Sequence, residues 1–149
     1  MSLEAAKELA PTGVLRAAIN MSNFLLVTGR TAGGDPDGVS PDMARELAKR
    51  LGVDLELIQY KTPGEVSDDA GKGIWDIGNI GAEPKRAEKI DFTAAYCEIQ
   101  STYMVPPGSK ITSLDQVDQT GNRIAVSARS AYDLWLERNI KKAELVRVD

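Results

Sequence analysis

The feature that most constrains the fold is a predicted helix lying between two strand-like segments near the start of the chain. Residues 14–20, VLRAAIN, have the length and apolar content of a buried strand. Residues 40–52 place Ser40 at a predicted N-cap, repeat apolar side chains on one face and end at Gly52. Residues 53–58 alternate apolar and acidic side chains, as a half-packed strand does. This order predicts a right-handed βαβ unit with parallel strands.

The alternation of strands and helices continues along the chain. Residues 74–80 predict a third strand, and residues 96–105 predict a longer strand that ends at a Pro-Pro-Gly break. The remaining sequence predicts a short helix, a strand, a helix with Ser130 at its N-cap, and a last strand. We therefore expect an α/β protein of two lobes with mostly parallel sheets. The expected boundaries are 4–96 for lobe 1, 97–105 for a hinge strand that crosses between the lobes, and 106–149 for an incomplete lobe 2.

Composition argues against several classes of protein. The 149 residues include 18 basic and 22 acidic side chains, with a net charge of −4, which argues against a nucleic-acid partner. No apolar run approaches the ~20 residues that a membrane-spanning helix needs. The single cysteine, Cys97, excludes an intrachain disulfide. Histidine, the commonest general base and metal ligand, is absent, and no metal or cofactor motif is present, so we predict neither catalytic residues nor a bound metal.

The candidate ligand contacts are polar and aromatic side chains that follow the predicted strands. Parallel strands present their carboxyl ends to one edge of the sheet, and ligands of open α/β sheets bind at that edge. Amide, hydroxyl, aromatic and guanidinium groups together are typical of a site for a polar small molecule. The candidates of lobe 1 are Asn20, Asn23, Phe24, Tyr60, Asn79, Gly81, Glu83 and Arg86, and those of lobe 2 are Arg129 and Ser130.

Two of these candidates suit an anionic ligand. The Arg86 guanidinium can hold a carboxylate through two parallel hydrogen bonds, but on spacing alone a surface arginine paired with a nearby glutamate is the alternative. Ser130 offers a hydroxyl and backbone N–H groups at a helix N-terminus, and a plain N-cap is its alternative. For Phe24 and Tyr60 the two interpretations are an aromatic wall of a ligand site and core packing.

Four stretches together resemble one protein family. The stretch VLRAAIN is similar to the first strand of that family. The stretch DGVSPDMARELAKRLGVDLEL contains the family pattern G-x-x-x-D-hydrophobic-A-x-x-L-A-x-x-L-G. The stretch RAEKIDFTAAY contains the pattern R-x-x-x-hydrophobic-x-F-[ST]-x-x-Y. The stretch SLDQVDQTGNRIAVSARSAYDLWL is similar to the opening of the family's second lobe. The chain thus resembles, over nearly its whole length, the type II periplasmic substrate-binding proteins of ABC importers, and specifically their amino-acid-binding family.

The resemblance implies a type II periplasmic-binding-protein fold and a receptor for an amino acid or a similar small polar carboxylate in the cleft between two lobes. Such a receptor would be periplasmic, with its signal peptide removed, and its partner would be the membrane permease of the ABC transporter. Arg86 matches the family's clamp on the ligand α-carboxylate, and Ser130 matches the contact to the same carboxylate from the second lobe. Phe24 matches the aromatic residue of the first loop approximately.

The sequence also departs from the family pattern. Glu83 stands where threonine is usual, and Arg129 and Ala131 replace the usual glycine and hydroxyl residue beside Ser130, which bears on ligand specificity. Intact members cross back to the first lobe after completing the second, so we expect a C-terminally truncated chain. Exposed apolar surface and strand edges would then favour a homodimer or a segment-swapped dimer.

Two other functions stay open at this point. The same scaffold hosts periplasmic enzymes such as cyclohexadienyl dehydratase, for which Glu83 is the candidate acid of the cleft. It also serves as the ligand-sensing domain of receptors.

Overall fold

A three-stranded parallel sheet organises the first part of the chain. The computed structural model describes residues 3–148, in which one unit ends at Ile90 and a second begins at Asp91. The strands of the first sheet lie in the order β4-β1-β5 and are all parallel. The elements of this unit are α1 (Leu3–Leu9), β1 (Val14–Asn20), β2 (Gly29–Arg30), β3 (Pro36–Asp37), α2 (Val39–Leu51), β4 (Asp54–Tyr60), α3 (Pro63–Asp68), β5 (Ile77–Gly78) and α4 (Pro84–Ala87).

The predicted βαβ unit is present as β1, α2 and β4. Leu15 and Ile19 of β1 are 0% and 1% exposed, because β1 is the central strand of the sheet. Ala44 and Ala48 present the apolar stripe of α2 to these side chains. The small alanine side chains allow close packing of the helix on the sheet. The predicted parallel arrangement is therefore confirmed.

The start of α2 differs from the prediction. Gly38, and not Ser40, is the N-cap, with φ 131°. A Cβ atom at this position would lie 2.7 Å from the carbonyl oxygen of Leu26 and 2.9 Å from the backbone nitrogen of Thr28, so glycine is required. Serine is a strong local N-cap signal, but the close approach of the backbone of residues 26–28 decides the position here. The predicted helix end at Gly52 is confirmed, with φ 72°.

The third strand is shorter than the predicted range 74–80, since β5 spans Ile77–Gly78. Asp76, directly before β5, is bound to β1 by both its backbone and its side chain, since its backbone N–H donates to the carbonyl of Arg16 at 2.8 Å. Its carboxylate Oδ2 accepts hydrogen bonds from the backbone nitrogen and the Nε of Arg16, both at 2.9 Å. Burial alone would raise the pKa of Asp76, but the hydrogen bonds from Arg16 hold it below its ordinary value. An ion pair thus reinforces the attachment of this segment to β1.

The second unit contains a two-stranded parallel sheet, β6 paired with β7. The predicted strands and the main helix of this part are confirmed, and the short predicted helix is a single 3₁₀ turn. Residues 96–105, predicted as a strand, form no regular secondary structure. A strand requires a hydrogen-bonded partner, and no part of residues 3–148 pairs with this segment. The elements are a 3₁₀ helix (Leu114–Gln116), β6 (Arg123–Ser127), α5 (Ala131–Asn139) and β7 (Glu144–Val148).

The described helices are short. None of those in residues 3–148 has the length and the apolar character that crossing a membrane requires.

Candidate functional site

The carboxyl ends of the three strands lie at one edge of the first sheet. Asn20 and Tyr60, the last residues of β1 and β4, are register partners. Gly78, the last residue of β5, pairs with Ala18. The lobe 1 candidates lie at these strand ends or in the segments that directly follow, as the parallel arrangement predicts.

Arg86 is buried at this edge, in the single turn of α4. Its side chain and that of Glu83, the N-cap of α4, are 5% and 6% exposed. The Nη1 of Arg86 donates a hydrogen bond to the carbonyl oxygen of Gly81 at 2.9 Å. The surface position assumed in the alternative is therefore wrong. A guanidinium withdrawn from water needs acceptors and fixed geometry, which makes its position specific.

Asn79 fixes the same edge to helix α2. Its Nδ2 donates to the hydroxyl oxygen of Ser40 at 3.1 Å. Ser40 is 2% exposed, and its backbone N–H donates to the carbonyl of Leu26 at 2.9 Å. The predicted contact residue Asn79 thus anchors the start of α2 and the loop after β1.

Two other amide candidates shape the loop that follows β1. The Oδ1 of Asn20 accepts from the backbone N–H of Ser22 at 3.2 Å and from its hydroxyl at 2.8 Å. The Oδ1 of Asn23 accepts from the backbone N–H of Leu25 at 3.2 Å. These are local turn hydrogen bonds, which fix the loop conformation.

The two aromatic candidates have opposite surroundings. Tyr60 packs in the core with Ala18 and Val66, and its hydroxyl donates to the Oδ2 of Asp69 at 3.0 Å. Burial, together with this hydrogen bond, raises the pKa of Tyr60 to about 12. Phe24 is 79% exposed and does not pack in the core. Core packing therefore describes Tyr60, whereas Phe24 is accessible to a ligand.

The second unit holds Arg129 and Ser130 where α5 begins. Ser130 is the predicted N-cap, and its Oγ accepts from the backbone N–H of Asp133 at 3.1 Å. The Oδ2 of Asp133, in the first turn of α5, accepts from the backbone N–H of Arg129 at 2.8 Å. Arg129 has φ 60°, which is unusual for a residue with a side chain.

Sequence reasoning missed two ion pairs beside these candidates. Arg16 and Asp76 join β1 to the segment before β5, and Arg147 of β7 holds Asp133. The available signal was a charged residue in the middle of a predicted strand, as in VLRAAIN, IWDIGNI and AELVRV. A charge on a packed strand needs a partner nearby.

The second unit also contains a groove of about 300 Å³ that holds none of the predicted contact residues. Within residues 3–148, no cluster of three or more acidic or cysteine side chains could hold a metal ion. The groove is lined by uncharged side chains: Thr102, Tyr103, Val105, Ile111, Thr112, Ser113, Leu114 and Val117.

The sequence model of the bacterial extracellular solute-binding proteins, family 3, matches residues 18–147. The chain belongs to this family. The match covers every candidate contact residue from Asn20 to Ser130, and it confirms the predicted family and the predicted solute-binding class. The family description also supports the general location outside the cytoplasmic membrane.

Relatives within this extracellular family of solute-binding proteins include both a binding protein and an enzyme. The L-cystine-binding protein of Escherichia coli (strain K12) is 26% identical over 117 residues, which cover 78% of this chain and 44% of the relative. The cyclohexadienyl dehydratase of Pseudomonas aeruginosa is 27% identical over 139 residues, covering 91% of this chain and 51% of the relative. The chain spans about half the length of the curated relatives it matches.

A solved structure supports the fold. An ancestral amino acid-binding protein, a precursor of cyclohexadienyl dehydratase, superposes with a TM-score of 0.77 at 22% identity, covering 97% of this chain and 64% of that chain. The prediction of a type II periplasmic-binding-protein fold is confirmed by this likeness and by the parallel sheets.

Proposed function

We propose that this solute-binding protein is the receptor of an ABC importer and binds an amino acid, or a similar small polar carboxylate, between two lobes. The family membership supports a binding role, and the Escherichia coli relative is an L-cystine-binding protein. The observation that carries the proposal is the burial of Arg86 at the carboxyl edge of a parallel sheet, where ligands of this type of fold bind.

Arg86 would clamp the carboxylate of the ligand. A guanidinium presents parallel N–H donors that match the two oxygens of a carboxylate. The hydrogen bond to Gly81 restrains the planar group before the ligand arrives, so little conformational freedom is lost on binding. The exposed Phe24, in the loop after β1, would cover the apolar part of the ligand.

The second unit would contribute from the start of α5. Ser130 and the backbone N–H groups of the first turn favour an anion, and the adjacent Arg129 adds positive charge. Residues 97–105 would act as the hinge along which the lobes close, as proposed from the sequence. Asn20, Asn23 and Asn79 would act mainly by fixing the loops around the ligand.

Calorimetry on the full-length gene product, with the twenty standard L-amino acids and L-cystine, tests this proposal. We expect Arg86→Ala to weaken binding by about 2 to 5 kcal/mol, the range for removing one partner of a buried charge pair. Arg50→Ala is the matched control, because Arg50 is exposed and pairs with Glu46 on the outer face of α2. Equal affinity of Arg86→Ala and the wild type would reject the clamp, and the absence of binding by any amino acid would reject the ligand class.

A second candidate function is dehydratase activity. The Pseudomonas aeruginosa enzyme aligns with 91% of this chain, and Glu83 is a buried carboxyl group three positions before Arg86. Such a group could serve as the acid of an elimination reaction. Turnover of prephenate by the full-length product, lost in Glu83→Gln, would support this function. No turnover at any enzyme concentration would leave the receptor as the better description.

The partner and the oligomeric state are the remaining proposals. The permease of an ABC transporter is the expected partner, and a receptor sensor domain is the alternative. Exposed apolar side chains of the second unit, such as Met104 at 98% and Trp135 at 50%, support the predicted homodimer or segment-swapped dimer. Sedimentation velocity over a hundredfold concentration range would test the dimer. A sedimentation coefficient that stays at the monomer value at every concentration would contradict it.

A further inference from the structure

The loop between β6 and α5 has a backbone conformation that its own sequence does not favour. Arg129 has φ 60°, and it is the one non-glycine residue with positive φ in residues 3–148. A side chain in the left-handed region crowds the backbone, so surrounding contacts must hold it there. Ser130, the next residue, is buried. The contacts that hold this loop therefore decide where both residues lie.

Asp133 holds both residues. Its side chain is buried, with 3% exposure, and its Oδ2 accepts the backbone N–H of Arg129 at 2.8 Å. Its own backbone N–H donates to the Oγ of Ser130 at 3.1 Å. One residue thus fixes the strained backbone of Arg129 and the hydroxyl of Ser130 at the same time.

Arg147, on the neighbouring strand β7, holds Asp133 in turn. Its Nε donates to Oδ1 and Oδ2 of Asp133 at 2.9 and 3.1 Å. The hydrogen bond to Asp133 raises the pKa of Arg147, as expected of a paired cation. The backbone N–H of Ala128 also donates to the carbonyl of Val148 at 2.8 Å. The loop is therefore attached to the end of β7 at two points.

We propose that Asp133 and Arg147 form a positioning clamp that sets the ligand contacts of Arg129 and Ser130. The inference rests on the proposed function, in which these two residues meet the carboxylate of the ligand. Neither Asp133 nor Arg147 needs to touch the ligand. A carboxylate with hydrogen bonds from two sides is rigid, and a binding site depends on such supporting contacts for its geometry.

Affinity measurements on the full-length gene product test the clamp. Arg147→Met keeps the bulk of the side chain and removes its hydrogen bonds to Asp133. Arg123→Met is the matched control, because Arg123 pairs with Glu144 at 3.6 Å at the other end of the same two strands, with both side chains 68% exposed. The probe is the tightest-binding member of the panel of twenty L-amino acids and L-cystine.

We expect Arg147→Met to raise the Kd about tenfold, the scale of losses when a supporting residue is removed. Arg123→Met should leave the Kd unchanged. Wild-type affinity in Arg147→Met, or an equal loss in both variants, would overturn the proposal. Thermal unfolding of both variants shows whether a loss of affinity merely follows a loss of folded protein.

A second readout needs no ligand. Hydrogen exchange of the Arg129 amide, measured by NMR, should accelerate about tenfold or more in Arg147→Met, while the Val126 amide of β6 keeps its protection. Unchanged protection at Arg129 contradicts the clamp. If the wild type binds no member of the panel, the proposed function fails, and this exchange experiment still decides whether the clamp holds the loop.

A double-variant cycle distinguishes positioning from a general structural role. Glycine adopts positive φ without strain, so Arg129→Gly removes the need for the clamp to hold the loop. The effect of Arg147→Met on the Kd should then be several-fold smaller in the Arg129→Gly background than in the wild type. Additive effects of the two substitutions would speak against the mechanism.

Discussion

The two units of the chain are stabilised in different ways. In the first, the central strand β1 carries the buried apolar residues Leu15, Ala17, Ala18 and Ile19, all at 0–1% exposure. In the second, the buried apolar side chains of the described residues are 6–8% exposed, and they belong to β6, to α5 and to the residue after the 3₁₀ helix: Val126, Leu136 and Val117. A two-stranded sheet has no central strand, so it cannot bury apolar residues to the same degree.

Polar contacts replace part of this missing core in the second unit. The carboxylate of Asp118 accepts the backbone N–H groups of Lys141, Lys142 and Ala143, with the shortest distance 2.7 Å. The carboxylate of Asp133 accepts the backbone N–H of Arg129 and the side-chain Nε of Arg147. The first unit therefore depends more on its packed apolar volume, and the second more on individual carboxylates.

The largest expected effect is that of Leu15→Ala in the first unit. Leu15 is fully buried, so the substitution should lower the free energy of unfolding by about 2 to 5 kcal/mol. Leu136→Ala in the second unit should cost clearly less, since its surroundings are less enclosed. Native-state hydrogen exchange resolves the two units, and equal losses would remove the distinction between them.

A second prediction concerns the close approach at Gly38. Gly38→Ala should cost about 3 kcal/mol, because a Cβ would meet the backbone of Leu26 and the φ of 131° is unfavourable for alanine. Gly34→Ala is the control, since Gly34 has φ 90° but no atom within 4 Å of the added Cβ. Urea unfolding measures both. A similar cost at the two positions would show that conformation alone, and not the clash, sets the penalty.

A smaller effect is expected for Tyr60→Phe, at roughly 1 kcal/mol for the lost hydrogen bond to Asp69. The folded pKa of about 12 lies above the ordinary value of 10, so the neutral tyrosine stabilises the fold fully below pH 10. This contribution is lost as the pH rises from 10 towards 12. Between pH 10 and pH 12, the free energy of unfolding should depend less on pH in Tyr60→Phe than in the wild type. An equal slope in both proteins would mean that other groups cause the loss of stability in this range.

The smallest effect is expected for Asp118→Asn, at the acid end of the pH scale. Hydrogen bonds from the backbone of Ala143 and Lys142 hold the pKa of Asp118 below its ordinary value. A lowered folded pKa stabilises the fold above the unfolded pKa of about 4, and this stability is lost as the pH falls through the folded value. Hydrogen exchange near Lys142 should become less dependent on pH below 4 in the variant. The exposed Asp115→Asn serves as the control.

Local sequence signals predicted much of the first unit. The bounds of β1 and the end of α2 at Gly52 follow from an apolar run and a glycine stop, which are local features. The start of α2 at Gly38 could not be predicted, because it depends on contact with Leu26 and Thr28 in a separate loop. The prediction of a strand at 96–105 was wrong for a related reason, since strand pairing depends on a partner elsewhere in the chain.

The position of the lobe 1 candidates at the sheet edge was predictable from the sequence, whereas the contacts that support the candidate residues were not. Arg86 lies at the sheet edge as expected, but spacing alone favoured a surface position, and only the structure places it at 5% exposure. Arg147 is 14 positions from Asp133, and neither helical nor strand periodicity connects residues at that distance. Its role emerges only when β7 is paired with β6.

The brevity of β5 has a practical consequence for redesign. Because only Ile77 and Gly78 join the sheet, the chain after them forms no further strand pairing. It is held to the rest of the unit by Asn79, which donates to Ser40, and by Ile80, which packs against the core cluster of Ala18, Tyr60 and Val66. The segment from Gly81 to Arg86, which follows these two anchors, can therefore be exchanged as a unit, with the hydrogen bond from Arg86 to Gly81 contained inside it. Transplanting this segment between relatives should alter ligand choice, while Ile80 and the hydrophobic interior of the first unit stay in place.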